Sequence, residues 1–180
     1  MCAAASWKPG KRRREADVKV LIAYRSKYGT TESCAKALSG RITAETTLAD
    51  FRVGGMPDVL GFDVVLVGGS IYGGRIQREV TSFCEGKGEL LLKRKIGLFL
   101  CCLSQGEHAK EQLQTAFPEW LAAHAFACSL FGGDLHYDRL TLLDKLLVRG
   151  LPRPPHGVSL IDTHAIAAMA DMVNSFLAGP

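Results

Sequence analysis

The chain has 180 residues, 47% hydrophobic and 22% charged, with a formal net charge of +4. That length bounds it at one domain of ordinary size, and the balance excludes an intrinsically disordered chain. No apolar run approaches the ~18 residues that span a bilayer, and Lys8 and Lys11 to Arg14 lead into charged residues rather than the apolar stretch of a secretory signal.

Residues 1–16 read as a flexible basic tail and 17–180 as one domain. The Lys11-Arg12-Arg13-Arg14 run suits a solvated terminus or, more sharply, a contact with an anionic surface. No aromatic-studded basic motif accompanies it, so nucleic acid is not an expected partner. Val18 to Tyr24 (VKVLIAY) is β-branched and almost uninterrupted by polar residues, as suits a central parallel strand buried on both faces. Thr30 to Ile42 has Cys34, Ala37, Leu38 and Ile42 along one side of a helix. Thr46 to Val53 is a more polar strand, expected at or near an edge. Asp63 to Gly69 (DVVLVGG) is a third strand, Ile76 to Cys84 a helix, Ile96 to Leu103 a fourth strand and Glu107 to Phe117 a helix with Pro118 at its end. Ala125 to Gly132 is the fifth strand. Asp162 to Ala178 closes the chain as a helix with Ile166, Met169, Ala170, Val173 and Phe176 on one face.

Strands that alternate with helices in this way demand a parallel sheet with right-handed crossovers and helices on both faces. The expected architecture is α/β, a doubly wound five-stranded parallel sheet in the order 2-1-3-4-5, with a ligand outside the carboxyl ends of the strands at the switch point. Attention therefore falls on the loops after the first, third and fourth strands.

The six cysteines, Cys2, Cys34, Cys84, Cys101, Cys102 and Cys128, form no CxxC and several lie in apolar runs. They read as reduced, mostly buried thiols of a cytoplasmic protein. Redox activity of Cys101 and Cys102 is the alternative to packing. The five histidines are scattered, so no metal is expected.

After the first strand comes Ser26-Lys27-Tyr28-Gly29-Thr30-Thr31. A helix N-terminus offers unpaired N–H groups and a positive dipole end, and Ser26, Thr30 and Thr31 add hydroxyls without adding charge. The loop lacks the Gly-Lys-Ser/Thr ending of a P-loop and the GxGxxG of a dinucleotide fingerprint. It reads as a monophosphate cradle, with an ordinary N-cap as the plain alternative. After the third strand comes Gly69-Ser70-Ile71-Tyr72-Gly73-Gly74-Arg75, where Tyr72 is a candidate to stack on a flat aromatic ligand. The glycine pair is either a tight turn or a place where backbone approaches that ligand. After the fourth strand, Leu103, Ser104 and Gln105 are placed to close over its other edge, or simply lead into a helix.

These residues resemble the flavodoxin family. Ser26 to Thr31 is similar to its Ser/Thr-x-Thr-Gly-x-Thr phosphate loop, with Tyr28 in place of the usual threonine and Ser26, Gly29 and Thr31 where the pattern wants them. The resemblance implies bound FMN, with its phosphate at the first loop and its ring held by Ser70 to Gly74 and by Leu103 to Gln105. It is strongest to the flavodoxin-domain group that includes the menaquinone-dependent protoporphyrinogen IX dehydrogenases, carried by Ser26 to Thr31, Val65 to Arg75, and Phe131-Gly132-Gly133-Asp134-Leu135. That group implies an FMN-dependent oxidoreductase that oxidises protoporphyrinogen IX and passes electrons to a quinone. The alternative is an electron carrier that serves a redox protein partner. Arg75, Arg78, Arg139 and Arg149 are candidates for the tetrapyrrole's propionates, and Arg75 is a candidate to raise the flavin's potential. No catalytic acid or base is identifiable.

Residues 134–157 form an insert between the last strand and the last helix. Within it, Asp138 to Gly150 reads as a helix with Leu140, Leu142, Leu143, Leu146 and Leu147 on one side. Packing on the domain, a dimer contact, and an interfacial surface for an apolar substrate or for a membrane, peripherally at its inner face, are the three readings of that face.

Overall fold

Val20 to Ala23 are wholly shielded from solvent, as a central strand buried on both faces must be. The computed structural model describes residues 18–134 and 159–177. The expected insert helix, its leucines, Arg139 and Arg149, and the basic tail through Ala16 lie outside those residues.

Strand β1 (Lys19–Tyr24) leads to helix α1 (Thr30–Ser39), strand β2 (Glu45–Asp50) and strand β3 (Val64–Tyr72). A two-residue strand β4 (Arg75–Ile76) precedes helices α2 (Arg78–Gly86) and α3 (Gly88–Leu91) and strand β5 (Lys95–Cys101). Then come α4 (Gly106–Ala116), α5 (Glu119–His124), β6 (Ala127–Gly132) and α6 (Thr163–Leu177). The sheet order is β2-β1-β3-β5-β6, with β4 paired only to β3. All main pairings are parallel, with Val20 opposite both Thr46 and Val64, Val64 opposite Lys95, and Gly97 opposite Ala127. This is the expected doubly wound order with one short strand added. The polar β2 lies at an edge, as its composition suggests.

Alternate residues of each strand feed two separate cores. Val20, Ile22, Leu66, Phe99 and Phe131 pack against α1 and α6 through Cys34, Leu38, Ile166, Met169 and Val173. Leu21, Ala23, Val65, Val67, Leu98 and Leu100 pack on the other face against Val80, Phe83, Leu91 and Leu121. Phe99 stacks on Phe131 with ring centroids 4.8 Å apart, and its ring covers Gly68 so closely that a Cβ there would lie 1.9 Å from Cζ. The register of β5 with β6 shifts by one between Leu100 and Cys101, which brings Cys101 opposite Gly132.

The structure corrects four boundaries. Strand β3 runs three residues past Gly69 and turns back through Gly73-Gly74 into β4, so the expected loop is a hairpin. Helix α2 accordingly starts at Arg78, and Ile76 belongs to β4. Residues 119–124, which the sequence assigns to no element, form α5 with Pro118 as its N-cap, and the next strand starts at Ala127 rather than Ala125. On α6 the buried stripe ends on Leu177, whereas Phe176 is 40% exposed and meets Phe126 edge-on. Asp162 caps α6 by accepting from the N–H groups of His164 and Ala165 at 3.0 and 2.9 Å. Among the described residues no helix is long and apolar enough to cross a membrane. Cys34, Cys84, Cys101 and Cys102 are buried free thiols and Cys128 is half-buried, in line with the sequence reading.

Candidate functional site

The carboxyl ends of β1, β3 and β5 bring the three chosen loops to one edge of the sheet. In the first, Gly29 is the N-cap of α1 at φ 100°, a left-handed conformation that only glycine adopts without strain. No side chain caps α1, so its first N–H groups point out of the helix end toward the loop. Ser26 is buried and its Oγ accepts the Gly29 N–H at 3.1 Å, which leaves the hydroxyl proton to donate elsewhere. Thr31 is buried too, and its Oγ1 has no hydrogen-bond partner. A buried hydroxyl without a partner costs about 1–3 kcal/mol, so a ligand oxygen at this helix end has a donor waiting. Thr30 is committed differently: its Oγ1 donates to the Asp134 carbonyl at 3.0 Å and ties the loop to the end of the sixth strand's exit.

Two cations shape this loop. Arg25 donates from Nη1 to the Ser26 carbonyl at 2.6 Å and from Nε to Glu79 of α2 at 2.8 Å. That hydrogen bond holds the Glu79 carboxyl below its usual range. The Lys27 ammonium reaches across to the second loop and lies 3.6 Å from the centroid of Tyr72, with the half-buried Tyr28 ring 5.1 Å away on its own side. Arg75, the cation expected at the ring, pairs with Tyr72 across the hairpin and lines a cleft of about 510 Å³ with Ile71, Gly74, Thr81, Glu85 and Phe117.

The second loop is the β3–β4 hairpin. Gly73 and Gly74 occupy its two turn positions with φ of 58° and 79°, the pair of positive values that a type I′ turn requires. A Cβ on either would meet nothing within 4 Å, so both backbones face open space. Tyr72 pairs with Arg75 and Ile71 with Ile76. Behind the hairpin, Gln77 accepts the Ser70 N–H at 2.8 Å and donates to Ser70 Oγ at 2.5 Å. Ser70, Ile71 and Tyr72 are therefore strand residues of fixed position. The third loop carries Leu103 and Ser104, both half-buried, and the exposed Gln105, which is the N-cap of α4. Its start is held by the Cys102 N–H to the Gly132 carbonyl at 2.9 Å. Just below, the Cys34 thiol and burial together push the Cys101 thiol well above its ordinary value. It stays protonated and packs, which disfavours the redox alternative for this residue.

Sequence reasoning missed Gln77 and Arg25. Gln77 hides in an apparent helix start, and Arg25 looks like the polar end of a strand. Only their long-range partners reveal them.

This edge joins a hydroxyl-lined helix end to a rigid aromatic hairpin, which defines a mononucleotide-binding site of a doubly wound sheet. The family model described as the flavodoxin domain matches residues 21–156, and the chain belongs to that family. FMN is the cofactor of this domain, and the residues fit it: the partnerless Thr31 hydroxyl, the donor left on Ser26 and the uncapped α1 suit a phosphate monoester, and the open hairpin beside Tyr72 suits a flat ring. No curated protein sequence matches the chain. Among solved structures, it is similar to rubredoxin oxygen:oxidoreductase from Desulfovibrio gigas, at 18% identity and TM-score 0.60, covering 89% of this chain and 36% of that one. It thus spans about a third of that protein's length. It is also similar to a flavodoxin from the domain Archaea, at 13% identity and TM-score 0.55, covering 89% of this chain and 99% of that one. A WrbA-like flavodoxin from Agrobacterium tumefaciens aligns at 15% identity and TM-score 0.57, over 89% and 98% of the two chains. These likenesses are of fold.

Proposed function

We propose that the chain is an FMN-dependent oxidoreductase in which Ser26, Gly29 and Thr31 hold the phosphate, Lys27 and Tyr28 line the passage to the ring, and Ser70 to Gly74 with Leu103 to Gln105 hold the ring. FMN supplies reversible hydrogen and electron transfer when bound; the chain binds it, orients it and sets the charge around it. The observation that carries this reading is the uncapped N-terminus of α1 with the buried Ser26 and Thr31 hydroxyls at it, on the same edge of the sheet as the Tyr72 hairpin. Thr30 plays a lesser part, because its hydroxyl proton already goes to Asp134.

In the finer form of the reading, protoporphyrinogen IX gives up hydrogens and each pair removed reduces one quinone to its quinol. The motifs at Ser26 to Thr31, Val65 to Arg75 and Phe131 to Leu135 support it, as do Arg75 and Arg78, exposed cations suited to propionates. A quinone acceptor would bring the protein into peripheral contact with a membrane. A second reading is a carrier that passes electrons to a redox protein partner. Its support is the near-complete coverage of two single-domain flavodoxins. Against the basic partners on which acidic carriers dock stands this chain's own net charge of +4. The test is sequential. Purified protein should be yellow and release FMN, not FAD, on denaturation. Anaerobic consumption of protoporphyrinogen with a soluble quinone then separates enzyme from carrier: turnover supports the first reading, and flavin reduction without turnover supports the second.

A further inference from the structure

We infer that Lys27 is the residue that sets the redox potential of the bound flavin, by holding its ammonium between the two loops that the cofactor must bridge. The inference rests on the FMN reading above and deepens it. Lys27 belongs to the loop that cradles the phosphate, yet its Nζ lies 3.6 Å from the Tyr72 centroid on the hairpin that faces the ring. The centroid of the Tyr28 ring lies 5.1 Å from the same ammonium. Cation–π attraction to the two rings favours this position of the charge. A ligand with its phosphate at the N-terminus of α1 and its ring beside Tyr72 has to pass this ammonium, because the same side chain spans the same gap.

A positive charge at that place acts on the two redox forms unequally. Oxidised FMN carries no charge on its ring, whereas the reduced ring takes up negative charge as it loses a proton. The cation favours the second form and so raises the midpoint potential. The inference rests on the position of the ammonium and not on its lacking other contacts.

The experiment uses the full chain as wild type, K27M and K27R. Apoprotein is first titrated with FMN, followed by quenching of flavin fluorescence. The midpoint potential is then measured with reference dyes near neutral pH. Relative to oxidised FMN, K27M should bind reduced FMN about tenfold more weakly than wild type does, which lowers the two-electron midpoint by about 30 mV whatever its affinity for the oxidised form. K27R keeps the charge and should keep the wild-type potential. A wild-type protein that binds no FMN overturns the functional reading and this inference together. Wild-type binding with an unchanged potential in K27M overturns the inference alone, as does a K27R potential as low as that of K27M. Should K27M not fold, K27Q replaces it with the same expected shift.

Discussion

One amide closes the base of the β3–β4 hairpin: Gln77 Oε1 accepts the Ser70 N–H at 2.8 Å while its Nε2 donates to Ser70 Oγ at 2.5 Å. The two residues are seven apart, on either side of the Gly73-Gly74 turn, so this pair fixes the angle at which Tyr72 is presented. Gln77→Leu removes both bonds and leaves the Ser70 N–H unpaired, at a cost of about 1–3 kcal/mol. Gln77→Glu keeps an acceptor for the N–H, and the Ser70 hydroxyl can donate to its carboxylate. The expected result is a lower melting temperature and faster proteolysis of the hairpin for Gln77→Leu, with Gln77→Glu close to wild type. Equal protection in all three proteins would remove Gln77 from the account.

Thr31 is expected to separate binding from stability. Its Oγ1 is buried without a nitrogen or oxygen partner, beside the weakly bonding Cys101 thiol, so the hydroxyl contributes little to the chain without ligand. Thr31→Val keeps the shape and removes that group, and the apoprotein should be as stable as wild type or more so by up to about 1 kcal/mol. The same change should weaken FMN by about 1–3 kcal/mol, the worth of one hydrogen bond to a charged oxygen. Urea melts of the apoprotein and FMN titrations of both proteins check the two halves. A variant that loses stability but keeps FMN affinity would mean that the hydroxyl serves the fold.

Much of this architecture is legible in the chain because burial on both faces leaves a plain mark. Leu21, Ile22 and Ala23, or Val64 to Val67, are apolar in every position, and no helix face or edge strand reads that way. What escaped reading is short or long-range. Strand β4 has two residues and no periodicity to detect. Helix α5 has six residues, too few to show a helical period, so only Pro118 hints at where it starts. Phe176 sits one step from the buried stripe, where a 100° rotation carries it toward solvent and Phe126. In the site, Gly29 and Thr31 are visible because a phosphate loop after a strand has its own chemistry. The reach of Lys27 to Tyr72, the Gln77–Ser70 pair and the tie from Thr30 to Asp134 join residues that are 45, 7 and 104 positions apart. Such contacts depend on where the sheet places its loops, and local pattern carries no trace of them.

Gly68 is expected to tolerate no side chain. It lies in mid-strand beneath Phe99, and a Cβ would come within 1.9 Å of that ring. Gly68→Ala forces Phe99 off Phe131 and should destabilise by about 1–3 kcal/mol or more, as overpacked cores do. Phe99→Leu also costs stability by itself, through lost packing. In the double variant the smaller side chain makes room for the methyl group, so the combined loss should be smaller than the sum of the two. Chemical denaturation of the four proteins measures that coupling, and strict additivity would show that the strand shifts instead of the ring.

Alkaline pH should expose Cys84. This thiol on α2 has no solvent exposure, and burial, helped by the negative charge of Glu85, pushes its pKa up to about 12 from an ordinary 9.0. Below the ordinary value the thiol is protonated in both folded and unfolded chains, and it adds no pH dependence. Above it the unfolded chain loses the proton while the folded chain keeps it. The folded state's relative stability therefore falls as pH rises between about 9 and about 12, by roughly 1.4 kcal/mol per pH unit at most. Cys84→Ala has nothing to titrate at this position. It should be less stable than wild type near neutral pH, because it leaves a cavity, yet lose less with each step into alkali. The measurement is the dependence of unfolding free energy on pH for both proteins, with the slope and not the offset as the readout. Tyr24, also raised by burial, is common to both and cancels in the comparison. Parallel slopes would mean that Cys84 reaches water before it ionises, through a local opening of α2, and alkylation of the native protein at the same pH would then label it.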